Sequence, residues 1–213
     1  MEWLASFTDL VLHLDKHLVF FVQQYGDWVY ALLFAIIFTE TGVVVAPFLP
    51  GDSLLFVAGA LCVTEGMSLP LLMVLLVVAA ILGDAVNYSV GRWFGVALMT
   101  RTRLISPEKI KYTQDFFEKH GPKTIVIARF LPIVRTMAPF VAGFSGMQAK
   151  RFLTYNVSGG VLWVVSLTLA GYLFGNIPFI KNNLTAVILV IIFVSILPGI
   201  IAVLKARAAG SKN

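Results

Sequence analysis

Cysteine, histidine and charged side chains are all scarce in this sequence. The single cysteine, Cys62, excludes an intrachain disulfide and argues against a cysteine-based metal site. His13 and His17 lie four residues apart and His120 is distant in sequence, and we interpret none of the three histidines as a metal ligand. No glycine-rich phosphate loop and no serine or cysteine nucleophile motif is present. The sequence therefore predicts no resident metal or cofactor.

The low charge content points to a membrane. Charged residues make up 13% of the chain and hydrophobic residues 59%, whereas soluble domains have roughly 25% and 45–50%. This imbalance predicts an integral membrane protein, and the length suits a single domain over residues 1–213. The net charge of +5 does not predict nucleic acid as a partner, because membrane topology explains the basic residues.

The first 28 residues lack the basic start and apolar core of a signal peptide. They carry four acidic residues against Lys16 alone, and Leu10, Leu14 and Leu18 recur at helical spacing. This pattern predicts an amphipathic helix over residues 1–28 that lies on the membrane surface.

Five apolar stretches follow this segment. A membrane-spanning helix needs about 20 residues, so the second, fourth and fifth stretches are predicted to be transmembrane helices. The first is too long for one span and contains Pro47 and Pro50, while the third contains Pro132 and Pro139. The stretches run over 29–60, 69–91, 124–147, 152–175 and 184–204.

Basic residues cluster within 92–123, at 150–151 and at 205–212. Such clusters face the cytoplasm, so 92–123 is predicted to be a cytoplasmic loop or helix. The C-terminus is then cytoplasmic and the acidic N-terminus periplasmic. Because 124–147 has basic flanks at both ends, it should enter and leave on one side as a re-entrant hairpin. The same reasoning predicts a hairpin over 29–60 from the opposite side.

The two halves of the chain are therefore predicted to form an inverted repeat. Short internal similarities agree, since APFLPG at 46–51 matches APFVAG at 138–143. The predicted fold class is an all-α membrane protein in which each repeat is a re-entrant hairpin followed by a transmembrane helix. An N-terminal amphipathic helix and an additional C-terminal transmembrane helix complete it. Many secondary transporters share this architecture. The predicted hairpin turns are Pro47, Pro50, Gly51, Pro132 and Pro139.

Four ionisable residues fall on the predicted hairpins, namely Glu40, Asp52, Arg129 and Arg135. Charges at membrane depth are costly and usually mark a transport pathway or proton relay. Arginine suits a lipid phosphate, because the guanidinium group stays charged and binds phosphate bidentately. A desolvated carboxylate can take up and release a proton near neutral pH, and Glu40 is the first choice for that role. Asp52 is the second, because it fits a helix cap before Ser53 equally well.

Two structural salt bridges between the hairpins are the alternative reading of these four residues.

A second polar cluster occupies residues 83–95, where Asp84, Asn87, Tyr88 and Gly91 share one helical face. Asp84 can pair with Arg92 or with either hairpin arginine, and Arg92 fits an interfacial anchor equally well. We interpret Asp84, Tyr88 and Arg92 as a supporting polar face.

At these positions the sequence resembles the DedA family of bacterial inner-membrane proteins, also called the VTT or SNARE-associated domain family. The resemblance covers residues 38–175, with the motif residues in the family's order. They are Glu40-Thr41, Pro47, Pro50-Gly51-Asp52-Ser53, Gly83-Asp84, Tyr88, Gly91-Arg92, Gly95, Arg129-Phe130, Pro132, Arg135, Pro139, Ala142-Gly143, Phe152, Asn156, Gly160 and Trp163.

The resemblance implies lipid handling. Family members are similar to flippases of undecaprenyl phosphate, and others are thought to move phosphatidylethanolamine or other phospholipids, with links to the proton-motive force. By position, Glu40 and Asp52 correspond to the family's essential acids, and Arg129 and Arg135 to its essential arginines.

We therefore expect a membrane lipid transporter that translocates undecaprenyl phosphate or a related phospholipid across the bacterial inner membrane. Protons or sodium are the candidate coupling ions. The alternative is a proton- or sodium-coupled antiporter of small solutes or drugs. A lipid-phosphate phosphatase would need a histidine at membrane depth, which the sequence lacks, so an enzyme is not expected. The identity of the lipid, the coupling and a possible homo-oligomer stay open.

Overall fold

A computed structural model describes residues 14–43, 51–101, 123–175 and 177–181, together with 186, 187, 189–191, 193 and 197. Regular structure in these residues is helical, and no strand occurs among them. The all-α prediction is therefore confirmed for the described part of the chain. The helices are α1 (Leu14–Tyr25), α2 (Trp28–Gly42), α3 (Gly51–Thr64), α4 (Leu69–Arg101), α5 (Lys123–Ala128), α6 (Pro132–Phe144), α7 (Ala149–Phe174) and α8 (Pro178–Lys181).

Two of the described helices are long and apolar enough to cross a membrane, namely Leu69–Phe94 within α4 and Ala149–Phe174, which is α7. Each has 26 residues, more than the roughly 20 that a span requires. Helix α4 continues to Arg101, past the predicted boundary at 91, because its last ten residues contain no proline. Most of the predicted span 184–204 lies outside the described residues.

The predicted hairpin 29–60 contains two short apolar helices, α2 with 15 residues and α3 with 14. Neither is long enough to span a membrane alone. Pro47 and Pro50 lie outside the described residues, while Gly51 is the first residue of α3. The turn back to the same membrane face stays a prediction.

The predicted hairpin 124–147 is broken between α5 and α6. Leu131 has an extended backbone, with φ −122° and ψ 99°, the conformation favoured before a proline. Pro132 then begins α6, where a missing N–H costs nothing because that group has no partner within the helix. The helix break expected at Pro132 thus falls at residues 129–131.

The prediction of a turn at Pro139 is wrong, because α6 continues through this residue to Phe144. Proline removes the N–H that would bond the carbonyl oxygen of Arg135, one turn earlier, and helices in membrane proteins tolerate this loss where neighbouring groups support the turn. The side-chain amide of Asn87 on α4 donates to the next carbonyl oxygen, that of Thr136, at 2.8 Å, and so holds this turn of α6.

Contacts divide the chain into two compact units. The first comprises Met1–Ile36, Pro50–Leu76 and Val164–Asn213. Its buried apolar residues include Leu33, Leu55 and Leu72. The hydroxyl of Tyr30 accepts a hydrogen bond of 2.7 Å from the backbone N–H of Ser68, which begins the turn into α4.

The second unit comprises Ile37–Leu49 and Val77–Trp163. Tyr88 on α4 stacks on Phe152 of α7 with ring centroids 4.3 Å apart, and its hydroxyl donates to the carbonyl oxygen of Met147. These contacts join α4 to α7 and to Met147, which precedes α7, and a shared apolar cluster adds α5 and α6. The shared apolar cluster consists of Tyr88, Ile125, Ala128, Ala138, Ala142 and Phe152.

Helices α4 and α6 cross closely at Gly91. A Cβ atom on Gly91 would lie 2.8 Å from the carbonyl carbon of Phe140, so a larger residue would push the helices apart. We expect Gly91→Val to lower the free energy of unfolding by about 1–3 kcal/mol or more. Thermal unfolding in detergent measures this, with Ser89→Val at a nearby exposed position as the control. Equal melting temperatures for the two variants would show that the crossing tolerates added bulk.

Candidate functional site

Four charged side chains are buried among the described residues, namely Glu40, Asp84, Arg129 and Arg135. All four belong to the second unit. Burying a charge costs several kcal/mol unless a partner compensates it. Two acids and two arginines give a net charge of zero, and we call these four residues the charged cluster.

Arg129 is held by α4 and α7. It follows the end of α5 directly, and its Nη2 donates to Oδ2 of Asp84 and to Oδ1 of Asn156. The side-chain amide of Asn156 in turn donates to the carbonyl oxygen of Ile81, at 3.1 Å. Asn156 thus links Arg129 to α4 one turn before Asp84, and the arginine is fixed by one charged and one neutral partner.

Several polar atoms around Arg129 are buried without a hydrogen-bond partner in the described part of the chain. They are Nε and Nη1 of Arg129, Oδ1 of Asp84 and Oδ1 of Asn87. Buried polar groups in folded proteins are nearly always hydrogen-bonded to protein or to ordered water. The site therefore keeps donors and acceptors that a ligand or water can use.

Arg135, in the first turn of α6, pairs with Glu40 near the end of α2. Its Nη2 donates to Oε1 of Glu40, and both side chains are buried. The end of α2 leaves carbonyl groups without helical partners, and Asn87 donates to one of them, the carbonyl oxygen of Thr41, at 3.2 Å. Asn87 therefore joins α4 to the ends of two interrupted helices.

Trp163 lies beside both arginines. The Cζ atom of Arg135 is 4.6 Å from the centre of the indole ring, and that of Arg129 is 5.9 Å away. Trp163 is completely buried, so these cation–π contacts are desolvated, which makes each worth more than at a surface. Both guanidinium groups thus lie within 5.9 Å of the centre of one indole ring.

Helix α7 presents Asn156, Gly159, Gly160 and Trp163 on one face, at the spacing i, i+3, i+4 and i+7. A Cβ atom on Gly159 would lie 3.0 Å from Cδ of Arg129, so glycine at this position makes room for the arginine side chain. Sequence reasoning based on charge did not identify this face of α7 as part of the site. Its only signals were the helical spacing and the family positions Asn156, Gly160 and Trp163.

The structure brings Glu40 together with Arg135, and Asp84 together with Arg129. Of the partners that the sequence left open for Asp84, Arg129 is the one observed. Asp52 lies in the first turn of α3, in the first unit. An acidic residue in a first turn interacts favourably with the helix dipole.

Tyr88 and Arg92 form a separate contact on α4. Arg92 is exposed, and its Nη1 donates to the hydroxyl of Tyr88 at 3.0 Å. Tyr88 itself belongs to the apolar core of the second unit. Asp84, Asn87, Tyr88 and Gly91, predicted on one helical face, are all buried.

These features define a class, an all-helical membrane protein with a neutral, buried cluster of two acids and two arginines beside interrupted helices. Comparison with known proteins agrees with that class. The VTT domain matches residues 49–173, which is more than half of the chain. The protein belongs to this family, the VTT-domain or DedA family.

Relatives resemble the chain over most of its length. It is 50% identical to protein DedA of Escherichia coli K12, covering 100% of this chain and 99% of the relative. It is 42% identical to an uncharacterized membrane protein of Mycobacterium leprae, covering 86% and 85%. It is 44% identical to inner membrane protein YqjA of Escherichia coli K12, covering 71% and 70%. No solved structure matches this chain.

Proposed function

We propose that the protein is a transporter of phosphate-bearing membrane lipids in the bacterial inner membrane. Undecaprenyl phosphate or a related phospholipid is the proposed substrate. The inner-membrane location is supported by the relative named inner membrane protein YqjA. The resemblance to the DedA family supports the class of lipid, and the proposed activity is transport rather than catalysis.

The observation that carries the proposal is that Arg129 is buried and keeps hydrogen-bond donors that no described residue uses. This guanidinium group is buried, and its Nε and Nη1 donate to no other residue in the described ranges. A second guanidinium, that of Arg135, lies against the same indole ring. Arginine is suited to an anionic head group, because its guanidinium group stays charged and can bind phosphate oxygens through parallel N–H groups.

The apolar parts of the lipid would stay in the bilayer. Helices α4 and α7 expose large apolar side chains, which include Val74, Val78, Leu82, Leu153 and Val161. Such surfaces are stable beside acyl or polyprenyl chains, and they support a substrate whose head group alone enters the protein. Glu40 and Asp52 are the acids that the sequence singles out for ion coupling, and in this proposal a carboxylate exchanges protons or sodium ions as the site opens to alternate sides.

A transport assay tests the proposal directly. Purified protein is reconstituted into vesicles containing undecaprenyl phosphate, and the fraction of lipid phosphate accessible on each leaflet is followed with a membrane-impermeant reagent. We expect the protein to accelerate appearance of the phosphate on the opposite leaflet, and Arg129→Ala to abolish the acceleration. Rates equal to those of protein-free vesicles would refute lipid transport.

Two further variants separate binding from folding in that assay. Arg129→Lys keeps the charge but loses the planar fork of donors, so we expect it to fold and to transport slowly. Arg151→Ala removes one positive charge from an exposed position at the start of α7, so we expect transport at the wild-type rate. Equal loss in all arginine variants would indicate that net charge, not the charged cluster, controls the rate.

A coupled antiporter of small solutes or drugs is the second candidate function. The buried carboxylates of Glu40 and Asp84 favour it, because ionisable groups at membrane depth often form proton relays. The same vesicles distinguish the two functions through a dye for internal pH. An antiporter would move protons when a soluble substrate is added, whereas a lipid transporter would respond to the phosphate lipid.

A further inference from the structure

We infer that Asp84 is the carboxylate that takes up a proton when a phosphate group binds Arg129. The phosphate would replace Asp84 as the counter-ion of the guanidinium, and the proton would neutralise the displaced acid. The inference rests on the proposed function and deepens it, since it identifies which buried acid couples proton movement to substrate binding.

The geometry of Arg129 requires that a phosphate bound through two oxygens displace one of the partners already present. A guanidinium group can bind two oxygens in parallel along only two of its edges, and both edges include Nη2, because the third edge carries Cδ. Nη2 is the nitrogen that Asp84 and Asn156 occupy. A phosphate that binds Arg129 bidentately therefore has to displace one of these two partners.

The net charge of the charged cluster determines what happens when a phosphate binds. The four residues of the charged cluster sum to zero in their ionised forms, and a bound phosphate adds at least one negative charge. If Asn156 were displaced, phosphate and Asp84 would share one guanidinium group as like charges in a buried site. If Asp84 were displaced, it would become a buried carboxylate without a counter-ion. Either arrangement is relieved by one proton, since like charges and burial both favour the neutral acid.

One carboxylate oxygen of Asp84 is available to accept that proton. Its Oδ2 faces Arg129, whereas its buried Oδ1 accepts no hydrogen bond from the described residues. A proton from the aqueous phase can therefore add to Oδ1 without breaking an existing bond. The product is a neutral carboxyl group, and no other covalent bond changes; the phosphate oxygen takes the place of the displaced partner on Nη2 of Arg129.

The groups that surround Asp84 are contributed by α2, α6, α7 and the residue after α5. Arg129 follows α5 and makes the ion pair, and Arg135 of α6 is close enough to interact with Asp84 electrostatically. Glu40 of α2 neutralises Arg135, and α7 contributes the neutral Asn156. Because Glu40 is the other buried acid, an experiment has to separate the two carboxylates.

Infrared difference spectroscopy makes that separation. The full-length protein is studied in dodecyl maltoside with undecaprenyl phosphate as the probe, since neither compound contains a carbonyl group. Addition of the lipid is expected to produce the C=O stretching band of one protonated carboxyl group in the wild type. The band should be absent in Asp84→Asn and retained in Glu40→Gln. Native mass spectrometry of the same samples counts bound lipid.

A conservative variant excludes a purely structural effect. Asp84→Glu keeps a titratable carboxyl group, so the band should persist with a shifted frequency, and proton uptake measured with a pH indicator should stay near one per bound lipid. Asp84→Asn keeps the shape of the side chain and should bind lipid with uptake reduced at least tenfold. Persistence of the band in Asp84→Asn, or its loss in Glu40→Gln alone, would transfer the role to another residue and overturn the inference.

The outcomes also separate this inference from the proposed function. Bound lipid without a carboxyl band in the wild type would leave lipid transport standing and refute proton uptake by Asp84. Absence of bound lipid in the wild type would refute the proposed function, and the inference with it.

Discussion

Arg129→Ala is expected to lower the free energy of unfolding by about 3–5 kcal/mol, because removing one partner of a buried ion pair leaves an uncompensated charge. Asp84 is that charge, since its Oδ2 faces Arg129 and the side chain is 2% exposed. The measurement is unfolding of the purified protein in mixed micelles with increasing denaturing detergent. Arg151→Ala, which removes an exposed arginine, is expected to unfold with the wild type because surface charges contribute little.

The double variant Asp84→Leu with Arg129→Met is expected to recover most of that loss. Replacing both members of a buried pair by apolar residues of similar volume is often neutral or stabilising. Transport should stay absent in the double variant, because no guanidinium group is left at that position. Wild-type stability in the single variant would contradict a dry ion pair and indicate that water reaches Asp84.

Recovered stability together with absent transport in the double variant would identify the Asp84–Arg129 pair as functional. An ion pair kept only for stability gains little over an apolar replacement, because desolvation offsets most of the attraction. A stable double variant without transport would therefore mean that the buried charges serve binding. Loss of both properties would instead support the structural salt bridges that the sequence left as the alternative.

Much of the helical framework could be predicted from the sequence, because hydropathy and proline report local properties. The spans predicted at 69–91 and 152–175 correspond to α4 and α7. The expectation that a proline interrupts a helix was correct at Pro132, where α6 begins, and wrong at Pro139, which lies inside α6. The turn before Pro139 is supported from α4, because Asn87 donates to the carbonyl oxygen of Thr136, and such a contact between two helices cannot be predicted from the local sequence of α6.

The charged residues of the site could also be predicted, because a charge in an apolar stretch is conspicuous. Their pairing was left open, because the sequence allowed Asp84 to pair with Arg92, Arg129 or Arg135. Glu40 and Asp52 were the acids on the predicted hairpin, yet the observed partner of Arg129 is Asp84. Asn156 and Gly159 carry no charge, and their importance appears only when α7 is packed against Arg129.

Trp163→Ala is expected to be about as damaging as loss of the ion pair. Truncating a buried tryptophan typically costs 3–5 kcal/mol, through lost burial and the cavity left behind. Trp163 is completely buried and lies against both guanidinium groups, so this loss includes its desolvated cation–π contacts. The measurement is the same detergent unfolding series, with Trp93→Ala as the control because Trp93 is 69% exposed.

Trp163→Phe distinguishes the packing role of the indole from its contact with the arginines. Phenylalanine keeps an aromatic face but has a weaker attraction for cations than tryptophan, so we expect intermediate stability and measurable lipid transport. Undecaprenyl phosphate should bind this variant more weakly than the wild type, because the two guanidinium groups are less firmly held beside one another. Unchanged lipid affinity in Trp163→Phe and Trp163→Ala alike would mean that Asp84, Asn156 and Glu40 position the arginines without help from the ring.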